Sequence, residues 1–83
     1  MNEDVIITLE FDNGTTFNDL PGRLIVTEES SGLKSWAIHL NDDLRAAIGL
    51  LGQKPKVRFS DGRVGEAIFV GSDEIKGNGP IKP

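Results

Sequence analysis

The sequence predicts a mainly β fold, a small antiparallel barrel or roll of six strands with one short helix, in the order β-β-β-β-α-β-β. Several short segments alternate apolar and polar residues, turn sequences containing glycine separate them, and a single segment has helical spacing. Since 83 residues without cysteine form only a small core, closing the sheet would hide edges that the chain cannot otherwise cover. The alternative is an open antiparallel sheet with the helix across one face.

The first hairpin is predicted from the alternation in residues 4–11, which places four apolar side chains on one face: Val5, Ile7, Leu9 and Phe11. A three-residue loop at 12–14, with its glycine in a left-handed conformation, pairs Leu9 with Phe17 and keeps both on that face. We therefore predict a second strand that begins at Thr15.

The next segment contains a proline–glycine turn at residues 20–23, which has the pattern of a type II turn and predicts a corner in the chain. A third strand at 24–29 and a fourth at 33–40 then flank another three-residue loop, 30–32. That loop predicts a register with one ion pair and two apolar pairs, all consistent with a single assignment of the strand faces: Glu28 with Lys34, Val26 with Trp36, and Leu24 with Ile38.

Residues 42–51 are predicted to form the helix. Asn41 is the expected N-cap and Gly52 the expected C-terminal glycine. Four apolar residues recur at the α-helical spacing and are expected to face the core: Leu44, Ala47, Ile48 and Leu51. This short amphipathic helix should dock on the sheet or plug one end of a barrel.

The last hairpin is predicted from strands at 56–59 and 63–70 around Asp61-Gly62. A two-residue turn would pair Val57 with Glu66, unless a bulge at 65–66 restores an apolar pair. Hairpins of this kind occur in SH3-like small barrels and in many other folds, so they assign no family. The domain is predicted to cover 1–70.

Residues 71–83 are expected to form a flexible C-terminal tail, because they are rich in turn residues and lack periodicity.

Composition limits the classes of function. Hydrophobic residues make up 37% and charged residues 27%, which is typical of a folded soluble domain. No apolar run is long enough for a membrane span, and the first residues do not resemble a secretory signal, so we expect a cytoplasmic protein without membrane contact. A net charge of −4 argues against a protein that coats nucleic acid.

Few residues suggest catalysis or a cofactor. The single histidine, His39, could act as a general base oriented by Asp42 or Asp43, but no motif supplies a nucleophile. Oxygen atoms near the first loop do not have the spacing of a calcium loop, and no glycine pattern matches a phosphate-binding loop. We therefore expect no enzyme, no metal and no cofactor.

Charge is distributed unevenly along the chain. Residues 1–43 carry a charge of −7 and residues 44–83 carry +3. Three bases alternate on one predicted strand face, another lies across the hairpin, and a fifth lies on the nearby helix. The candidate binding face therefore consists of Arg45, Lys54, Lys56, Arg58 and Arg63.

The basic face has several interpretations. Lysines often only protect an edge strand from pairing with another chain. A protein partner is the next interpretation, and nucleic acid comes after it, because few aromatic residues lie nearby for base stacking. The acidic N-terminal half could instead mimic nucleic acid. Trp36 falls on the apolar face and is expected to pack in the core. We favour a non-catalytic module that acts through protein–protein contact, as an adaptor, accessory protein or inhibitor.

Overall fold

The structure is a computed structural model that describes residues 2–32 and 34–83. Six antiparallel strands form a closed barrel in the neighbour order β1-β2-β3-β6-β5-β4, and one short 3₁₀ helix, η1, joins β3 to β4. The elements are β1 (Asn2–Glu10), β2 (Thr16–Glu28), β3 (Lys34–Leu40), η1 (Arg45–Leu50), β4 (Lys56–Phe59), β5 (Val64–Gly71) and β6 (Glu74–Gly77). The predicted fold class is confirmed. Leu33, where the fourth strand was expected to begin, lies outside the described residues.

The barrel interior is filled by alternate residues of the strands. Five side chains among the largest are almost completely buried: Phe69, Ile7, Leu9, Leu24 and Ile38. Trp36 is 6% exposed and lies in the same core, as predicted. None of the described polar side chains is buried, so hydrophobic burial is the main source of stability.

The registers predicted for the first two hairpins are confirmed. Leu9 pairs with Phe17, and the three predicted pairs between β2 and β3 are present. Gly14 and Gly32 have φ values of 88° and 85°, the left-handed conformation that a three-residue hairpin loop requires at this position.

The third hairpin differs from its prediction. Phe59 N–H donates to Arg63 O at 2.9 Å, so the loop contains three residues and not two, and Gly62 at its end has φ 102°. Val57 consequently pairs with Gly65, and Glu66 pairs with Lys56 on the outside of the barrel. Neither the unfavourable Val57–Glu66 pair nor a bulge at 65–66 occurs.

The predicted corner at residues 20–23 lies inside β2, so the second and third predicted strands are one strand. Between the pairs Ile7–Leu20 and Leu9–Phe17, β2 has one more residue than β1. Asp19 in this bulge has φ 55°. A bulge bends a strand without ending its pairing, so β2 continues through residues 20–23 and the predicted corner is not a break between two strands.

Helix η1 is shorter than the predicted α-helix and begins later. Leu44 takes the N-cap position without a side-chain cap, whereas Asn41, the predicted cap, donates its backbone N–H to Pro21 O at 3.0 Å. Ala47 N–H bonds to Leu44 O at 2.9 Å, the i→i+3 pattern of a 3₁₀ helix.

The 3₁₀ geometry changes which residues of η1 face the core. Residues three apart share a face in a 3₁₀ helix, so Leu44, Ala47 and Leu50 point to the barrel. Ile48 is 58% exposed and Leu51 44% exposed, although α-helical spacing predicted both in the core.

The segment predicted to be a tail contains β6, which closes the barrel between β3 and β5. Ile75 is completely buried, and Ile81 packs against the core. The indole N–H of Trp36 donates to Gly79 O at 2.7 Å, and Lys82 forms a backbone bridge with Val64. The folded barrel therefore extends beyond residue 70.

Two glycines of β5 and β6, Gly65 and Gly77, make room for the Trp36 ring. A Cβ added to Gly77 would overlap the indole, and a Cβ added to Gly65 would lie 3.0 Å from it. The ring therefore packs against the bare backbones of β5 and β6.

Candidate interaction surface

Strand β4, which carries most of the predicted basic face, is not an edge strand. It pairs with β1 through residues 56–59 and with β5 through residues 56–58. Its backbone has neighbours on both sides, so Lys56 and Arg58 do not serve to protect an edge. For these two residues the edge-protection interpretation is wrong.

Acidic residues neutralise part of the predicted basic face. Arg58 Nε forms an ion pair with Glu10 Oε1 on β1. Lys56 is in register with Glu10 on one side and with Glu66 on the other. Opposite charges directly across neighbouring strands attract each other, so this part of β4 is a mixed-charge ladder rather than a basic stripe.

Arg63 lies apart from the other predicted basic residues. Its guanidinium binds Glu3 at 2.9 and 3.3 Å and Asp61 at 2.8 Å, and its central carbon lies 4.8 Å from the centre of the Phe59 ring. The hydrogen bonds that Arg63 donates to Glu3 raise the pKa of Arg63 above its usual value. Arg63 is therefore held over the Phe59 ring by two carboxylates.

Arg45 is at the start of η1 and is 86% exposed, with Nε 3.1 Å from Asp43 Oδ2. A hydrogen bond from Ser72 and a second one from Arg45 lower the pKa of Asp43. The Arg45 charge is thus partly balanced by its own neighbour.

Lys54 keeps an unbalanced charge. It is exposed and has no ion-pair partner in the described part of the chain. The backbone N–H of Ala67 donates to Pro55 O at 3.1 Å, and that of Phe69 donates to Gln53 O at 2.9 Å. These bonds continue the β4–β5 pairing to residues 53–55, which precede β4. These bonds place Lys54 level with Ile68 of β5.

Exposed apolar residues adjoin Lys54. Val70 follows on the same outer face of β5 and is 45% exposed. Gly52 N–H donates to Phe69 O at 2.8 Å, so Leu51 and Val70 are the chain neighbours of two residues that this bond joins, and Ile48 lies one 3₁₀ turn before Leu51. Three of the four exposed large hydrophobic residues in the described ranges therefore belong to the two segments that this bond joins. With the half-buried Ile68, these residues form what we call the apolar patch: Ile48, Leu51, Ile68 and Val70.

A second unbalanced lysine lies on the other side of the patch. Lys76 of β6 is in register with Ile68, is exposed, and has no ion pair within residues 2–32 and 34–83. Ile68 therefore lies between Lys54 and Lys76. Sequence reasoning found Lys54 but missed Lys76, because residues 71–83 were expected to be a tail.

The residues considered for catalysis or metal binding do not form a site with the expected partners. His39 Nε2 lies 3.4 Å from Glu74 Oε2 rather than near Asp42 or Asp43, and both side chains are largely exposed, 54% and 42%. Asn13 Oδ1 accepts a hydrogen bond from Thr15 N–H at 2.9 Å and so stabilises its own turn. No group of three or more potential metal ligands exists among the described residues.

Ion pairs break up the acidic N-terminal half. Glu3 binds Arg63, Asp4 binds Arg23 at 3.5 Å, and Glu10 binds Arg58. The first two of these pairs border a groove of about 630 Å³ around Ile6. Since the charges that border the groove are already balanced, the groove does not offer the continuous negative surface that nucleic-acid mimicry requires.

Comparison of the chain with protein-family models, with curated proteins and with solved structures found no match. No helix in the described ranges has the length and apolar character needed to cross a membrane.

Proposed function

We propose that this protein is a non-catalytic binding module that contacts another protein through the apolar patch and its bordering lysines. One observation carries the proposal: Ile48, Leu51 and Val70 are exposed and belong to two segments that the hydrogen bond from Gly52 to Phe69 joins. Neighbouring apolar groups that remain in water mark interaction sites more often than isolated ones do. An adaptor, accessory protein or inhibitor would use such a surface.

Protein is favoured over nucleic acid by the composition of this surface. Glu10 and Glu66 flank the cations of β4 and would repel phosphates. Every described aromatic side chain is buried or half-buried, so no ring is available for base stacking. A protein partner, in contrast, gains from burying apolar side chains within a charged rim.

The test compares two exposed residues of similar size and burial. Val70 and Ile6 both lie on outer strand faces and are 45% and 47% exposed, but only Val70 belongs to the patch. Wild-type protein, Val70→Asp and Ile6→Asp would each be immobilised and exposed to a lysate of the source organism, after circular dichroism has shown that all three are folded.

A partner that is retained by wild type and Ile6→Asp and lost by Val70→Asp is the expected result. Equal retention by all three proteins would contradict the proposal. Binding of a generic oligonucleotide by wild type at low salt, with a steep loss as salt rises, would favour the nucleic-acid alternative instead.

A further inference from the structure

We infer that the partner docks an acidic amphipathic helix on the apolar patch, with carboxylates of that helix facing Lys54 and Lys76. The inference rests on the proposed function and adds the chemistry and the conformation of the partner segment.

The pairing of β5 excludes recognition by an added strand at this place. On one side, residues 53–55 hydrogen-bond to Ala67 and Phe69, and on the other side β6 pairs with residues 67–69 and with Gly71. The backbone of β5 around Ile68 is therefore paired on both sides. Since an extended peptide would need free backbone partners, the patch has to be recognised through side chains, as helices are in grooves.

The two lysines set the width of the partner segment. Each lies one strand away from Ile68, and neighbouring strands are about 4.8 Å apart, so the lysine backbones are roughly 10 Å apart across the patch. A helix with its side chains is about 10–12 Å wide. Acidic residues on the two sides of its apolar stripe would therefore reach Lys54 and Lys76 at the same time.

The apolar patch sets the length. The strand from Ile68 to Val70 is about 7 Å long. The step to Leu51 and the one 3₁₀ turn from Leu51 back to Ile48 extend the patch by a similar distance or slightly more. The patch is therefore about 15–18 Å long, which corresponds to roughly ten to twelve helical residues at 1.5 Å each. Three helical turns would cover it.

The charge of the two lysines indicates that the docked helix is acidic and that it comes from another protein. Lys56 is already beside Glu66, so the unbalanced charge is concentrated in the two lysines that flank Ile68. If two copies of this protein met patch to patch about a two-fold axis, the same lysines would face each other and repel. An acidic partner removes that repulsion.

The experiment uses designed probe peptides of 15 residues. One peptide carries a leucine stripe flanked on both sides by glutamates, and a second has lysine in place of every flanking glutamate. Binding of each labelled peptide to the full chain would be followed by fluorescence anisotropy, and the contact surface would be mapped by amide chemical shifts.

We expect the acidic peptide to bind at least tenfold more tightly than the basic one, with shifts concentrated in η1, β5 and β6. The double variant Lys54→Glu/Lys76→Glu should weaken the acidic peptide at least tenfold and strengthen the basic peptide. Lys34→Glu/Lys82→Glu, which changes the net charge equally but lies outside the patch, should leave the preference unchanged.

Failure of the helix inference and failure of the proposed function give different results. Equal binding of both peptides, equal effects of both double variants, or no binding of the acidic peptide would overturn the inference. The proposed function would still stand if Val70→Asp loses the partner captured from lysate. If Val70→Asp keeps that partner, the proposed function fails, and the inference fails with it.

Discussion

The segment around η1 and the C-terminal segment 71–83 use their apolar residues in opposite ways. The first leaves Ile48 and Leu51 in water on the outside of the barrel. The second buries Ile75 completely between β3 and β5 and packs Ile81 on the core. The segment that looks like a helix from its spacing thus exposes apolar side chains, and the segment that looks like a tail buries them.

The difference shows that burial depends on the neighbours a segment finds. β6 has four residues, which is too short to hold a strand conformation alone, but it lies between two longer strands that supply backbone partners and apolar surface. The outer side of η1 has no covering segment in the described part of the chain. Three experiments test this contrast, and a fourth tests the loop between β4 and β5.

Replacement of Ile75 by alanine should have the largest effect. It leaves a cavity at a fully buried position, so the free energy of unfolding should fall by about 2–5 kcal/mol, measured by urea denaturation. Ile48→Ala removes the same atoms from an exposed position and should change the free energy of unfolding by less than about 0.5 kcal/mol. Similar losses in the two variants would contradict the contrast.

Deletion of residues 78–83 should come next. It removes the hydrogen bond from Trp36 to Gly79, the backbone bridge with Val64, and Ile81. The indole hydrogen bond and the half-buried Ile81 alone contribute about 2 kcal/mol, so the melting temperature should drop by roughly 8–16 °C or more.

Lys82→Ala is the control for this deletion, because it keeps the backbone bridge and should melt close to wild type. A truncated protein that also melts within a few degrees of wild type would show that the segment is a dispensable tail, as the sequence had indicated.

Two leucines test the 3₁₀ spacing of η1. Leu50 packs against the core and Leu51 is 44% exposed, so Leu50→Ala should destabilise the protein by about 1–2 kcal/mol and Leu51→Ala by less than about 0.5 kcal/mol. The α-helical spacing predicts the reverse order, with Leu51 in the core. Thermal unfolding of both variants therefore decides between the two geometries.

The smallest effect concerns pH and the end of the barrel opposite η1. The backbone N–H of Arg63 and its guanidinium lower the pKa of Asp61 below the ordinary value of 3.8. Its stabilising contribution is therefore present above pH 3.8 and is lost as the pH falls through the lower folded-state pKa. The stability difference between wild type and Asp61→Asn should shrink in that window. A difference that stays constant with pH would contradict this assignment.

Much of the barrel could be predicted because its first half has strong local signals. The three-residue loops that end in Gly14 and Gly32 connect strands whose apolar alternation agrees with one register only. The third loop has the same design, yet Asp61-Gly62 also matches a two-residue turn. In the structure the three-residue loop is formed, and Lys56 pairs with Glu66 on the outer face.

The candidate surface was predicted in part. The alternation of Lys54, Lys56 and Arg58 was sufficient to place them on one face, because residues two apart in a strand share a face. Which of these charges remains unbalanced could not be predicted, since Glu10 reaches Arg58 across 48 positions of sequence. The apolar half of the surface was missed because the predicted helix placed Ile48 and Leu51 inside.

The sequence by itself determined the fold class, the two N-terminal registers and the burial of Trp36. These depend on alternation and on loop glycines, which act over a few residues. The tertiary structure alone decided that β6 closes the barrel, that η1 is a 3₁₀ helix with Ile48 and the following Leu51 turned outward, and that Lys54 and Lys76 flank Ile68. Each of these depends on contacts between distant segments, whose free energies no local pattern contains.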